Sequence, residues 1–462
     1  MPPLQPSFAQ RRYPLRYWIL VAYCVCVPNF VKFDNSGRTH DVGLFNPTSI
    51  SVILLTLLSG SLLVIMTFLN RGKLLQRPVK FAGWLWLLLL ANFVISTIFS
   101  PPSRLTPAKV TDPFLCLFRI GEWILLFVLI LSVYSREKEE SATDLIVRVI
   151  ASVCWINIGC VWFFLPIMPS LVYGASEDIT NSHARLGGVM VHPVHLSVLT
   201  GIAFFHSFFF LKSYRKYACC AFAGLTLFMT YARSEQLLFL IVLFAYLLIF
   251  SRKSVLRWFG IFSILSVIGL ATAFYEKILA YLARGQGVRN ITTLSERTDV
   301  WNASFKAFWL RPFIGYGYII GVKNALKDHW NATNWVPPHS HSEYIQALVT
   351  GGIFAGALMV SIYVCVLWSA IRQSTRDPQH MFFLVGLLQL IGMSFIMPIT
   401  STAHGEVGSV FVLIYIGVIA SAPKKKKKVH QTSAVRSFTL PGALRPVPAL
   451  RWRQNPSTTR NL

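Results

Sequence analysis

Apolar residues run in long blocks along the chain, separated by shorter polar stretches. The blocks fall at about 15–31, 47–69, 81–99, 115–134, 145–166, 195–211, 218–232, 236–250, 258–275, 343–371, 381–400 and 408–422. A helix needs about 20 mostly apolar residues to cross the hydrocarbon of a bilayer. Backbone groups in lipid are satisfied only in helices or closed barrels, and these blocks lack the alternation of barrel strands. The pattern predicts an all-α, polytopic membrane protein of about 12 transmembrane helices.

The polar stretches are unequal. Most are short, but 276–342 is far longer than an ordinary connection, and a loop of that length is either disordered or functional. Val300, Trp301, Phe305, Phe308 and Trp309 recur at helical spacing within 295–310. Ser295 is a candidate cap for that run, Arg311-Pro312 ends it, and a second short helix is expected at about 320–330. The aromatic content suits a helical cap at the membrane interface. The expected layout is nine transmembrane helices in 1–275, a large outer loop at 276–342, three more helices in 343–422, and a basic tail at 423–462.

Composition fits this picture. Of 462 residues, 54% are hydrophobic and 13% charged, about half the charged share of a typical soluble domain. That excludes a disordered chain and disfavours an ordinary soluble enzyme. The net charge of +25 then either meets an anionic partner or records topology. With the N-terminus placed inside, the inner segments hold 27 basic residues, counting Arg16 at the edge of the first span, and the outer segments hold 14. This asymmetry predicts both termini in the cytoplasm. The run Lys424 to Lys428 lies in a tail with no acidic residue. It resembles a nuclear localisation string, but beside a membrane span it is better read as a disordered segment held by anionic inner-leaflet lipid, with no nucleic acid involved. All eight cysteines fall inside proposed spans, where they read as small apolar packing residues. No cleavable signal follows Arg11, Arg12 and Arg16.

Candidate chemistry is confined to a few residues. The chain has no phosphate-binding Gly-rich loop, no His-Glu-x-x-His and no Cys-x-x-Cys. His339 and His341 stand just before the tenth block, in Pro337-Pro-His-Ser-His-Ser-Glu-Tyr344. An imidazole at an aqueous boundary can accept a proton from a hydroxyl at neutral pH, or it can simply cap a helix. A metal held by His339, His341 and Glu343 is a weaker reading, because three ligands in one short stretch rarely close a site. Arg185 and Arg233 each stand at an outer boundary, where they serve either as interfacial anchors or as a diphosphate site. Arg119 and Glu122, three residues apart in the fourth block, read as a mutually neutralising pair facing the interior. His192, His404 and Glu406 receive no role.

The stretch His341-Ser-Glu-Tyr-Ile-Gln-Ala-Leu-Val-Thr-Gly-Gly352 resembles the signature of the O-antigen ligase and polymerase superfamily of membrane glycosyltransferases. Three others resemble its motifs in the same order: Arg185-Leu-Gly-Gly188 with His192-Pro193, Tyr231-Ala-Arg233-Ser-Glu-Gln-Leu-Leu238, and Arg297-Thr-Asp-Val-Trp301 continuing to Arg311-Pro312-Phe-Ile-Gly315-Tyr-Gly317. The matches cover about 180–360 and select His341 over His339 as the family histidine. Departures occur at Pro193, followed by Val where relatives often have Asn, at Thr350 in place of an acidic residue, and at the shifted Gly356.

The resemblance implies an O-antigen ligase in the bacterial inner membrane with a periplasmic active site. It would move a glycan from undecaprenyl diphosphate to a lipid A-core hydroxyl, with inversion and without a metal or other cofactor. His341 would be the catalytic base. Arg185 and Arg233 would bind the diphosphate, with Arg297 and His339 as further substrate-binding residues, and the cap would exclude water. A polymerase and a protein O-oligosaccharyltransferase of the same superfamily share these motifs. A secondary transporter of an anionic solute is more distant, since the chain shows no convincing internal repeat.

Overall fold

The computed structural model describes residues 15–26, 54, 56–61, 81–101, 111–136, 139–173, 185–187, 192–251, 253–277, 297–330, 337, 339–375, 377–399 and 405–421. The basic tail, Ser295, His404 and most of the second predicted span lie outside them. The described residues are mostly helical and contain no strand.

In chain order the helices are α1 (Leu15–Cys26), α2 (Phe81–Ile98), α3 (Thr111–Arg136), α4 (Glu139–Phe164), the single turn α5 (Pro169–Val172), α6 (Pro193–Phe210), α7 (Ser213–Met229) and α8 (Arg233–Ala245). A π turn, Tyr246–Phe250, extends α8. Then follow α9 (Ser254–Ala273), α10 (Arg297–Leu310), α11 (Ile320–His329), α12 (Glu343–Gln373), α13 (Pro378–Ser394) and α14 (Glu406–Ala420). Six described helices are long and apolar enough to cross a membrane: Phe81–Ile98, Cys116–Tyr134, Ser141–Phe164, Pro193–Phe210, Arg233–Phe250 and Glu343–Gln373. Three shorter apolar helices, Leu15–Val25, Ser254–Leu270 and Glu406–Ala420, accompany them.

Burial sorts the helices by position. From Val407 to Ile419 every residue of α14 is buried, so this helix, apolar all round, forms the middle of the bundle. By contrast α9 exposes Val255, Trp258, Phe259, Phe262, Leu265 and Ile268. So large an apolar surface suits lipid. Packing holds such helices together, because lipid tails are as apolar as leucine, and small residues let backbones approach. Gly201 of α6 does this, lying directly on Gln389 of α13. Helix starts follow local chemistry. Pro378 opens α13, and the Asp377 side chain accepts a hydrogen bond from the His380 backbone N–H at 3.0 Å. Inside the bundle Arg119 meets Glu122 at 2.8 Å, and Thr56 donates to the same buried carboxylate at 2.9 Å, as expected of a neutralising pair. The seven described cysteine side chains are free thiols.

The described part of the long loop folds into α10 and α11, with a small core of Val300, Ala303, Ala307, Tyr316, Val322, Ala325, Leu326 and Trp330 closed by Val349 of α12. One expectation needs correcting. The buried face of α10 is Val300, Ala303, Ser304, Ala307 and Phe308, whereas Phe305 and Trp309 point outward, Trp309 with 72% of its surface exposed. The small residues permit close approach to α12, so the large aromatics occupy the opposite side.

A second difference lies in α12, where hydropathy predicts one uninterrupted span. Gly351 and Gly352 leave helical geometry, and Gly352 has φ of 71°. The stretch 353–373 alone measures about 30 Å at 1.5 Å per residue, enough for the hydrocarbon. The break therefore separates a spanning helix from a short leading segment, 343–350, that begins beside His341.

Candidate functional site

Arg185 lies against the turn that leads into Arg233. Helix α7 ends at Thr230, and Tyr231 turns the chain with φ of 49°, rare for a large residue. The Thr230 hydroxyl accepts from Ala232 N–H at 3.3 Å, and Gln236 reaches back to the Leu227 and Phe228 carbonyls at 3.3 and 3.1 Å. Arg233 then opens α8. The segment 185–187 lies along this turn: Leu186 N–H donates to the Met229 carbonyl, and Gly187 N–H to the Val172 carbonyl, both at 3.0 Å. Arg185 Nε donates to the Thr230 carbonyl at 3.4 Å, three residues before Arg233.

The histidines sit at the start of α12. Ser340 N–H donates to Gln346 Oε1 at 2.8 Å, and its hydroxyl pairs with Ser304 of α10 at 3.1 Å. This pins the turn in which His341 adopts φ of 51°. Strain of this kind persists only where surroundings enforce it, and it clusters at functional sites. The His339 and His341 rings lie 4.3 Å apart between centroids, and the His341 backbone N–H donates to His339 Nδ1 at 3.3 Å. His341 Nδ1 is buried and has no hydrogen-bond partner among the described residues. Burial pushes His339 down to about 4, helped by His195 and Arg297. Burial also pushes His341 well below the usual imidazole range, with His339, Arg297 and His192 adding to the effect. Both imidazoles are therefore neutral at pH 7.

The two sets share α6. At its start Pro193 packs against Gly187, where a side chain would meet the proline ring at 2.7 Å. The preceding His192 caps α6, accepting from Val194 N–H at 3.3 Å, and acts electrostatically on His341. His195 acts on His339 and lies about 3.8 Å from a Cβ placed on Gly405, which precedes α14. The structure thus brings Arg185 to the turn before Arg233, brings Arg297 to His339 and His341, and sets the 185–187 segment and the histidines against the N-terminal end of α6. His195 was not singled out in the sequence. Its signal is the i, i+3 spacing from His192 at a proline-opened helix start.

A strap formed by 312–317 holds the break behind His341. Ile353 N–H donates to the Pro312 carbonyl at 2.7 Å, Tyr316 N–H to Val349 and Gly317 N–H to Thr350, each at 2.9 Å. Ser96 of α2 also donates to the Thr350 carbonyl, and Tyr318 N–H donates to Thr97 Oγ1 at 3.0 Å. Backbone groups freed by the break are satisfied from the loop and from α2, as hydrogen-bond accounting requires. Gly315 has φ of 75°, and any Cβ there would strike the Thr350 carbonyl.

An all-helical membrane protein with this cluster has known relatives. Residues 218–360 match the family described as O-Antigen ligase, a stretch that contains Arg233, Arg297, His339 and His341. The chain is also 26% identical, over 180 residues, to a ComP-specific O-oligosaccharyltransferase of Acinetobacter baylyi (strain ATCC 33305 / BD413 / ADP1). That match covers 36% of this chain and 31% of the relative. The two findings bear out the resemblance to the O-antigen ligase superfamily.

Proposed function

We propose that the chain is an O-antigen ligase that moves a glycan from undecaprenyl diphosphate to a lipid A-core hydroxyl at the periplasmic face of the bacterial inner membrane. The observation that carries this reading is the grouping of two arginines and two neutral imidazoles around the start of α6, the other imidazole pair at that end being His192 and His195. In the reaction the acceptor oxygen bonds to the anomeric carbon, the bond from that carbon to the phosphate oxygen breaks, and undecaprenyl diphosphate leaves. Arg185 and Arg233 bind the diphosphate and offset the charge growing on it. His341, neutral and with an unused ring nitrogen, takes the acceptor proton, and attack from the opposite side inverts the anomeric carbon. An anionic donor beside His341 and Arg297 raises the imidazole's proton affinity, which suits a base that is too weak in the empty site. Arg297 and His339 contact substrate from the loop side. The leaving diphosphate supplies the driving force, so neither nucleotide nor metal is required.

A second reading is transfer to a protein hydroxyl, to which the likeness to a ComP-specific O-oligosaccharyltransferase lends weight. The deciding experiment supplies one labelled lipid-linked glycan to the purified membrane protein together with lipid A-core and a candidate protein acceptor. Label entering lipid A-core supports the ligase, and label entering only the protein supports the second reading.

A further inference from the structure

Glu235 lies two residues after Arg233, fully buried in a membrane-crossing helix. Charges buried in protein are costly, and they are normally paired or functional. Among the described residues none forms an ion pair with Glu235. Its polar partner is Gln389 of α13, whose Nε2 donates to Glu235 Oε1 in a short hydrogen bond. The same Nε2 donates to the Val198 carbonyl of α6 at 3.3 Å, so both amide hydrogens are used. Two buried atoms remain without a hydrogen-bond partner, Glu235 Oε2 and Gln389 Oε1. Both are acceptors if the carboxyl is ionised. One hydrogen placed on Oε2 would turn it into a donor and satisfy both atoms together. Gly201 closes the space on the α6 side, because a side chain there would overlap the Gln389 amide.

We propose that Glu235 is an un-ionised carboxylic acid joined to Gln389 in an acid–amide ring, Oε2–H donating to Gln389 Oε1 while Nε2–H donates to Glu235 Oε1. The ring is an uncharged latch tying together α6, α8 and α13. The histidines and the tyrosine of α6, α8 and α13 contact other side chains. His380 pairs with Asp377, His206 meets Phe210 at a tilt and Phe382 edge-on, His195 sits against the start of α14, and Tyr246 packs on Phe208 and Phe209. The latch has a consequence that rests on the diphosphate reading of Arg233: an ionised carboxylate two residues away would repel the incoming anion, and the acid does not. Glu235 and Gln389 are therefore positioning residues for the arginine end of the site.

Infrared difference spectroscopy of the full chain in lipid nanodiscs at pH 7, wild type minus Glu235→Gln, tests the ring. The expected result is the carbonyl band of an un-ionised carboxyl, shifted in heavy water and moved again by Gln389→Leu. The paired bands of an ionised carboxylate, or a carboxyl band indifferent to Gln389→Leu, would overturn the proposal. In transfer assays Glu235→Ala should raise the donor KM about tenfold, because it strands the Gln389 amide. Glu235→Gln, which keeps a neutral pair, should recover most of that loss, and no recovery would contradict the latch. The two readings fail separately. If Arg233→Ala transfers normally while the band is present, the diphosphate role falls and the ring stands. If the band is absent while Arg233→Ala abolishes transfer, the ring falls alone.

Discussion

At the scale of single residues, much of the site rests on whether a buried polar group has a partner. His341 and His339 are held neutral by burial and by cationic or imidazole neighbours, so each gains its proton at lower pH than a free imidazole. The sign follows directly. The unfolded chain takes these protons as pH falls through 6.5 and the folded chain only later, so folding loses stability as pH falls below 6.5, for His339 until about 4. The acid limb of kcat/KM, which reports the free protein, should accordingly lie below pH 6.5. A limb at or above 6.5 in a pH–rate profile would argue against His341 as the base. Arg119 and Glu122 give a second test. Removing one partner of a buried pair strands a charge and typically costs about 3–5 kcal/mol. Arg119→Met should therefore lower the melting temperature in detergent markedly, and adding Glu122→Gln should restore part of it. This pair was legible in the sequence because i, i+3 spacing inside an apolar block leaves few alternatives. His195 was not, since a lone histidine in an apolar run looks like packing until the fold sets it against His339.

Among the elements, the broken helix α12 matters most. Its leading segment carries the histidine turn, its trailing segment is long enough to span a bilayer, and the strap 312–317 locks the joint. Gly352 at φ of 71° and Gly315 at 75° allow the two chains to touch. Gly315→Ala or Gly352→Ala should cost about 1–3 kcal/mol from backbone strain, with a steric clash added. Thermal unfolding in detergent measures this, and transfer should fall further than stability because the histidine turn shifts. At the helix starts, Asp377→Ala removes a capping oxygen from α13 and should cost about 1 kcal/mol in the same assay. Hydropathy located the described helices to within a few residues but missed the break, because two glycines in an apolar run do not lower the average. The aromatic side of α10 was misassigned for a related reason: periodicity finds a face without telling whether protein or lipid covers it. The motif Pro312-x-x-Gly315-x-Gly317 was visible in the sequence, and its use as a strap became clear only from its hydrogen bonds.

For the whole molecule, length, low charge and recurring apolar blocks were enough to read an all-helical membrane protein. The order of four short motifs was enough to read the superfamily resemblance. Convergence could not be read, since Arg185 and His341 stand more than a hundred residues apart. They are related through α6, whose start touches Gly187 on one side and acts on His341 on the other. The central claim is that this end of the bundle performs base-assisted glycan transfer from a lipid diphosphate. Its most direct test follows labelled undecaprenyl-diphosphate glycan in proteoliposomes with lipid A-core as acceptor, comparing wild type with His341→Ala. The account predicts transfer by the wild type in the presence of chelator, and its loss in His341→Ala while the donor still binds. Undiminished transfer by His341→Ala would contradict it.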